Sequence, residues 1–486
     1  MPESNELLNI KEASIWATKY TGKQVTPSNI TYLINYGRIL KTEKNGAVLI
    51  PKQELIDYYE TYQRETVYKK KLGADLNWAL SFENYKESET TKHVHRLHPY
   101  KGKFIPQLVE YFLDTHTDKF KTETFFAKGD IVLDPFCGSG TTLVQANELG
   151  INAVGIDISE FNALISNVKV RKVNLIELQS AVKDISRWLR AFTNEQFNVE
   201  FEDKLNEYLK KYNDKYFPSP EYKIKVRKKE IDEESYAAEH EAKVLEKYKE
   251  VVELYGVKLK QDKQERFLDK WFIAPIREEI EFVAKAIEKV ESEEIRACLM
   301  IILSRTVRSC RATTHADLAT LVEPVTTTYY CKKHGKICKP LFTIVSWWER
   351  YVADTIRRLA EFDRLRTDTN QICLNGNSET IDIFDELERV NPKFAELAKK
   401  QKIRGIFSSP PYLGLIDYHE QHAYAYDLFG FERKDAEEIG AMHKRQSKQA
   451  QQDYVKGISN VLNNCKRFLV SDFDIFLVAN DKYNLY

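Results

Sequence analysis

Two short segments combine residue types that could do chemistry. The first is DPFCGSGTT, residues 134–142, which follows the apolar run Ile131 to Leu133. It lacks the Gly-Lys-Ser/Thr ending with which a phosphate loop reaches a triphosphate. Nor is it the dinucleotide fingerprint: its glycines are 138 and 140 only, and Asp134 at the strand end would repel pyrophosphate. That carboxylate suits instead a cationic amine, and the two glycines let the backbone approach a ligand closely. Asp157, at the tip of the next apolar run, Ala153 to Ile156, is placed to accept from the two hydroxyls of a ribose. An amino acid and a ribose in one crevice mean S-adenosyl-L-methionine.

The second segment is SSPPYLG, residues 408–414. Its two prolines fix the backbone after a strand, so the carbonyls of Ser409, Pro410 and Pro411 point in constrained directions. Tyr412 offers a flat ring that can stack on a base brought out of a duplex. An exocyclic amine is a poor nucleophile because its lone pair is delocalised into the ring. Acceptors held against its two hydrogens favour a pyramidal nitrogen and free that lone pair for in-line attack on a sulfonium methyl.

Together the segments resemble the amino-group DNA methyltransferases of restriction-modification systems. The resemblance implies a cofactor loop built from Asp134, Pro135, Phe136, Gly138, Gly140 and Thr141, ending at Thr142, with Asp157 on the ribose. It implies a catalytic tetrapeptide of Ser409, Pro410, Pro411 and Tyr412. HRLHPYKGKFIPQL, residues 95–108, looks like the family element that lines the methionine side of the pocket, with Phe104 and Pro106 as candidates. Relatives commonly carry Gly-Asp-Ser or Gly-Asp-Cys where this chain has GNS at 376–378, so Asn377 takes the place of the acid facing the adenine amine, accepting more weakly through its carbonyl. Relatives with Ser at the position of Ser409 mostly modify cytosine N4. A hydroxyl does not by itself reject adenine N6. Cytosine C5 chemistry is set aside, because it needs a Cys preceded by Pro and none of the seven Cys has one.

The expectation is therefore a site-specific N4-cytosine methyltransferase acting on duplex DNA, protecting it from a cognate restriction endonuclease. An N6-adenine enzyme, a methyltransferase for RNA or a protein amide, and an inactive DNA-binding relic are the alternatives. Basic segments point the same way. Arg305, Arg308 and Arg311 recur at three-residue spacing, for phosphate or base contact or for pairing with the acids of 282–294. Lys332, Lys333, Lys336 and Lys339 lie in a stretch, Pro324 to Trp348, without an acid. Cys331, His334 and Cys338 fall in the same stretch, with Cys310 or His315 able to complete four ligands. Their spacing is tighter and less regular than common zinc modules, so the expectation is buried, unligated cysteine and no metal. Tyr418, His419, His422, Tyr424 and Tyr426 are expected in the core and at the rim of the base pocket.

The elements that must position these groups read as an α/β fold: a doubly wound, Rossmann-like methyltransferase sheet with a long helical insertion and a small N-terminal winged helix-turn-helix. The first module, 1–65, has a helix at KEASIWATKY, a second capped by Ser28 with Ile30, Leu33 and Ile34 inward, and a hairpin at Asn45-Gly46. Ser28 to Tyr36 takes the recognition-helix position there, with Arg38, Lys41 and Lys44 near the wing. A connector at 66–91 leads to the cofactor half at 92–180, the helical insertion with target recognition at 181–365, and the catalytic half at 366–486. Relatives continue past the last strand with a helix and a closing antiparallel pair. The expectation at Tyr486 is thus an exposed sheet edge or one filled by a complementing polypeptide.

Composition bounds the rest. The 486 residues exceed one ordinary domain, and 43% hydrophobic content excludes wholesale disorder. Lys plus Arg and Asp plus Glu are both 73, so a polyanion surface requires local segregation of charge. No secretory or membrane-spanning pattern occurs, and seven scattered Cys fit a reducing compartment, the cytoplasm.

Overall fold

The computed structural model describes residues 6–22, 24–35, 38–44, 47–60, 76–82, 85–195, 198–261, 265–315, 323–441, 447–479 and 485. The Asn45-Gly46 turn and most of the connector lie outside them.

In the N-terminal module β1 (Leu7–Asn9) precedes the helices Ile10–Thr21 and Pro27–Asn35, and β2 (Thr42–Lys44) and β3 (Ala47–Pro51) form an antiparallel pair. β1 adds to the other side of β3. Ala13 and Ala17, small enough for close helix contact, pack with Ile30, Leu33, Ile34, Ile39 and Ile50 in a core of their own. The second helix begins two residues earlier than a Ser28 cap implies. Thr26, not Ser28, caps it: Asn29 N–H donates to the Thr26 hydroxyl at 3.3 Å while Asn29 Oδ1 accepts from Thr26 N–H at 2.9 Å.

β4 (Ile131–Asp134) and β5 (Asn152–Asp157) open the main sheet. β6 (Tyr329–Cys331) and β7 (Lys336–Cys338) form a separate hairpin, and β8 (Gln371–Asn375), β9 (Ile403–Ser408) and β10 (Leu469–Leu477) complete the sheet in the order β10-β9-β4-β5-β8. Every pairing in it is parallel. Strand residues alternate between two cores, as a period of two requires. Val132, Ala153, Cys373 and Phe407 face one layer, whereas Ile131, Leu133, Val154, Ile156 and Ile406 face the helices Ile383–Val390, Pro392–Gln401 and Lys448–Lys466. Helices on both faces make the sheet doubly wound.

The helical insertion is not set apart from the sheet. Leu178, Ile185, Ile280, Ile302, Trp348 and Phe362 belong to the same continuous buried cluster as Val132 and Phe407. The helices Leu175–Glu195, Ala274–Glu288, Glu293–Ser309 and Val345–Asp363 thus add to one face of the sheet, and the helices Asn198–Tyr216 and Glu233–Leu254 carry the β6–β7 hairpin outside them. The His-rich segment finds its missing acid in Glu148, which lies 2.7 Å from Lys92 Nζ and 2.9 Å from His93 Nε2. No helix among the described residues is long and apolar enough to cross a membrane. All seven cysteines are free and buried.

Candidate active site

Because β4, β5, β8 and β9 run in parallel, Asp134, Asp157, Asn375 and Ser408 end on one edge of the sheet. The connections diverge between β4 and β9, and a crevice opens there. A cavity of about 850 Å³, partly open to solvent, occupies it. Its wall combines Tyr100, Lys103 and Phe104 with Pro135, Phe136, Gly138, Thr141 and Asp157 from the first two strand ends, and with Asn377, Ser409, Pro411 and His419 from the second half of the chain.

The Gly-rich turn is laced to the strand beside it. Cys137 N–H donates to Ile156 O at 3.0 Å, Gly138 N–H to Asp157 Oδ2 at 2.7 Å, and Ser166 Oγ to Gly138 O at 3.0 Å. Gly138 and Gly140 both have left-handed backbone, with φ of 52° and 75°. A Cβ at Gly140 would lie 2.9 Å from Ser166, so this glycine serves helix packing and does not line the cavity. Asp157 lies in the wall. Its carboxylate also accepts from Ser159 N–H at 2.9 Å and the Asn162 amide at 3.1 Å, yet two oxygens with four lone-pair sites leave capacity for ligand hydroxyls. Burial pushes this carboxyl up to about 6, against those three donors.

Several expectations need correction. Asp134 turns inward: its oxygens take the Thr142 hydroxyl at 2.6 Å and the Ser408 hydroxyl at 2.5 Å, so it ties β4 to β9 and does not face the cavity. Burial raises its carboxyl to about 6 as well. Pro106 starts the helix Pro106–Leu113 and is buried outside the cavity, while Phe104 lines it and meets Phe407 edge-on at 5.5 Å. Asn377 lines the cavity, but its carbonyl accepts from Glu379 N–H at 2.9 Å and its amide donates to Glu437 at 3.0 Å. The acid absent at 377 is thus present beside it, on a segment 60 residues away in sequence.

In the tetrapeptide, Ser409 and Pro411 reach the wall, Pro410 is buried behind it, and Tyr412 stands outside it, half-buried. Ser409 Oγ donates to Val478 O at 2.9 Å, beyond the end of β10. The Pro411 carbonyl, expected to be open, accepts from Tyr454 OH at 2.9 Å. His419 is buried in the wall with Nδ1 2.6 Å from Tyr426 OH, which also meets Ser159 Oγ at 2.5 Å. Burial lowers the pKa of His419, keeping it a neutral ring. Tyr100, Lys103, Ser159, Asn162, Glu437 and Ile439 were not singled out from sequence, because no local spacing marks residues recruited from three separate segments.

The three arginines part company. Arg305 is buried and pairs with Asp354 at 2.5 Å and Thr355 at 2.8 Å, so its acid comes from the Val345–Asp363 helix and not from 282–294. The helix ends at Ser309, which leaves Arg311 on the following turn, donating to Arg308 O at 3.0 Å. Among the lysines, Lys332 pairs with Glu234 and Lys339 with Glu202, whereas Lys333 and Lys336 are exposed.

The cavity fits an adenosyl amino acid. Its lining is what suits such a ligand: apolar walls flank the carboxylates of Asp157, Glu437 and Glu438. Ser139 Oγ, Asn162 Oδ1 and His419 Nε2 at its wall have no hydrogen-bond partner among the described residues, and buried polar atoms in that state mark places a ligand would satisfy. A family model described as DNA methylase matches residues 3–167. M.MjaII, a type II methyltransferase of Methanocaldococcus jannaschii, is 48% identical over 492 aligned positions, covering 99% of this chain and 90% of its own length. The chain belongs to the type II DNA methyltransferases. M.MvaI, a type II methyltransferase of Kocuria varians, is 33% identical over 24% of the methylase and 24% of its own length. A tRNA (guanine(10)-N2)-dimethyltransferase of Methanocaldococcus jannaschii is 35% identical over 79 residues, 16% of the methylase and 22% of that enzyme. No solved structure gives a significant match. The methylase is an S-adenosyl-L-methionine-dependent, DNA-binding enzyme of the restriction-modification type.

Proposed function

We propose that the methylase modifies cytosine N4 within a short duplex sequence and so protects that sequence from a cognate restriction endonuclease. One observation carries the amino-group chemistry: Ser409 spends its proton on Val478 O, so its oxygen meets the cavity as an acceptor for an exocyclic amine. Cytosine is preferred over adenine because Ser stands at the first position of the tetrapeptide. With the Pro411 carbonyl committed to Tyr454, the Ser409 hydroxyl and carbonyl oxygens are the groups that receive the two amine hydrogens. Holding them there localises the nitrogen lone pair. S-adenosyl-L-methionine supplies an electrophilic methyl when bound. Asp157 orients the ribose, Phe104 and Phe136 give the cavity apolar walls, and Tyr412, outside the cofactor wall, stacks on the displaced base. No base is needed to assist, since the methylated amine loses its surplus proton to solvent.

The N-terminal module adds duplex contact through the exposed side of its second helix, Ser28, Asn29, Thr31 and Tyr32, and through exposed Arg38. Methyl transfer from labelled cofactor to unmethylated DNA, followed by nucleoside analysis, tests the assignment. N4-methylcytosine is the expected product; N6-methyladenine overturns the base, and absence of labelled DNA overturns the function.

RNA as substrate is the second reading, favoured by the 79-residue likeness to a tRNA methyltransferase. Duplex DNA and structured RNA competing in one assay separate the two, and exclusive labelling of RNA decides for the second.

A further inference from the structure

Outside the crevice, the β6–β7 hairpin gathers four soft ligands that the methyl-transfer reading leaves unused. Cys331 ends β6 opposite Lys336 and Cys338 ends β7 opposite Tyr329, a diagonal pair across the hairpin, and His334 lies in the turn between the strands, where Gly335 has φ of 62°. His315 reaches the group from the chain that follows the Glu293–Ser309 helix. One ligand atom from each residue falls within 4.8 Å of the others.

The distances have the right size for a metal. Zn–S bonds of about 2.3 Å and Zn–N bonds of about 2.0–2.1 Å place sulfur and nitrogen about 3.6 Å apart along the edges of a tetrahedron. Cys331 Sγ is 3.7 Å from His315 Nδ1, and Cys338 Sγ is 3.5 Å from His334 Nδ1. The two imidazoles meet edge to face at 4.3 Å between centroids. Tyr329 OH lies 2.8 Å from His315 Nδ1, so ligation through that nitrogen displaces this hydrogen bond. Two thiolates and two neutral imidazoles balance a divalent charge, and a closed Cys₂His₂ set with no open position is structural, not catalytic.

We infer that the methylase binds one Zn²⁺ through His315, Cys331, His334 and Cys338. The ion ties the chain that leaves Arg308 and Arg311 to the hairpin. The hairpin in turn is held to the outer helices by the Asn213 side chain, which bonds Ile337 N–H at 3.0 Å and Ile337 O at 2.9 Å, and by Tyr330 OH to Glu233 at 2.7 Å. The sequence spacing argued against a metal because Cys331, His334 and Cys338 are set more tightly and less regularly than in common zinc modules; of the two candidates for a fourth ligand, the fold brings in His315, 16 residues upstream of Cys331.

Elemental analysis of the full-length methylase, purified without chelator or nickel, is expected to find one zinc per chain. Titration with an organomercurial should release it in step with thiol modification. Reconstitution with cobalt should give the intense visible bands of a tetrahedral ion and the near-ultraviolet sulfur-to-metal charge transfer of thiolate ligands. His315→Ala and Cys338→Ser should each weaken zinc binding by more than about 100-fold, while Cys310→Ser, outside the cluster, leaves it unchanged. Zinc-free protein that gives no tetrahedral cobalt spectrum, a Cys331–Cys338 disulfide in the mass spectrum, or zinc retained equally in both ligand variants overturns the inference. The measurements on the unaltered chain decide even if the variants do not fold.

Discussion

The two ends of the cavity are held by different means. At the cofactor end, Gly138 is tied to Asp157 and Ser166, 19 and 28 residues on, so the strand, turn, helix and strand that bind one another are consecutive. At the catalytic end, Ser409 and Pro411 are tied to Val478 and Tyr454, 69 and 43 residues on, and those partners sit on the last helix and just past the edge strand. A cofactor loop can form from its own neighbourhood. The prolyl turn takes its geometry only when the far side of the sheet has assembled.

If the ends are separable, damage to one should leave the other working. Ser409→Ala should have the largest effect, a loss of about 100- to 1,000-fold in methyl transfer, with calorimetric affinity for the cofactor unchanged. A matching loss of cofactor affinity would break the comparison. Gly140→Ala places a methyl 2.9 Å from Ser166 at a φ of 75°, and should lower stability by about 1–3 kcal/mol in denaturant titration. Tyr412→Ala should weaken capture of a DNA strand bearing the displaced base by about 1–3 kcal/mol and leave the cofactor in place.

A pH series sharpens the contrast without mutation. Asp157 is raised from its ordinary value of 3.8 to about 6. Since the folded state binds the proton more tightly than the unfolded chain, this group favours the free fold most below 3.8 and progressively less as pH rises to about 6. Cofactor binding has the opposite sign, because the ionised carboxylate is the better acceptor. Affinity should therefore fall as pH is lowered through about 6, and Asp157→Asn should flatten that dependence. The smallest effect belongs to Tyr454→Phe, which frees the Pro411 carbonyl and should cost about 0.5–1.5 kcal/mol in stability, with a change in turnover and none in cofactor affinity.

What the sequence determined by itself is what neighbours along the chain decide. The strands at 131–134, 152–157, 371–375 and 403–408 follow from apolar runs punctuated by Gly, Asn and Pro. The residue types of the Gly-rich turn and of the prolyl turn are each contiguous, and so both motifs were legible, although the prolyl turn takes its hydrogen-bond partners from the last helix and from just past the last strand. The exposed face and apolar core of the N-terminal helices follow from a 3.6-residue period, with only the cap displaced, from Ser28 to Thr26. Tertiary structure decided which polar groups meet. Asp134 faces Ser408 across 274 residues, Arg305 finds Asp354, Asn377 finds Glu437, and His315 joins Cys331 and Cys338. The first three pairings have no spacing that a linear pattern can display, and for the fourth the sequence left Cys310 and His315 as alternatives. A buried carboxylate or guanidinium must be matched wherever the folded chain supplies a partner, and that partner is chosen by the packing of strands and helices rather than by position in the sequence.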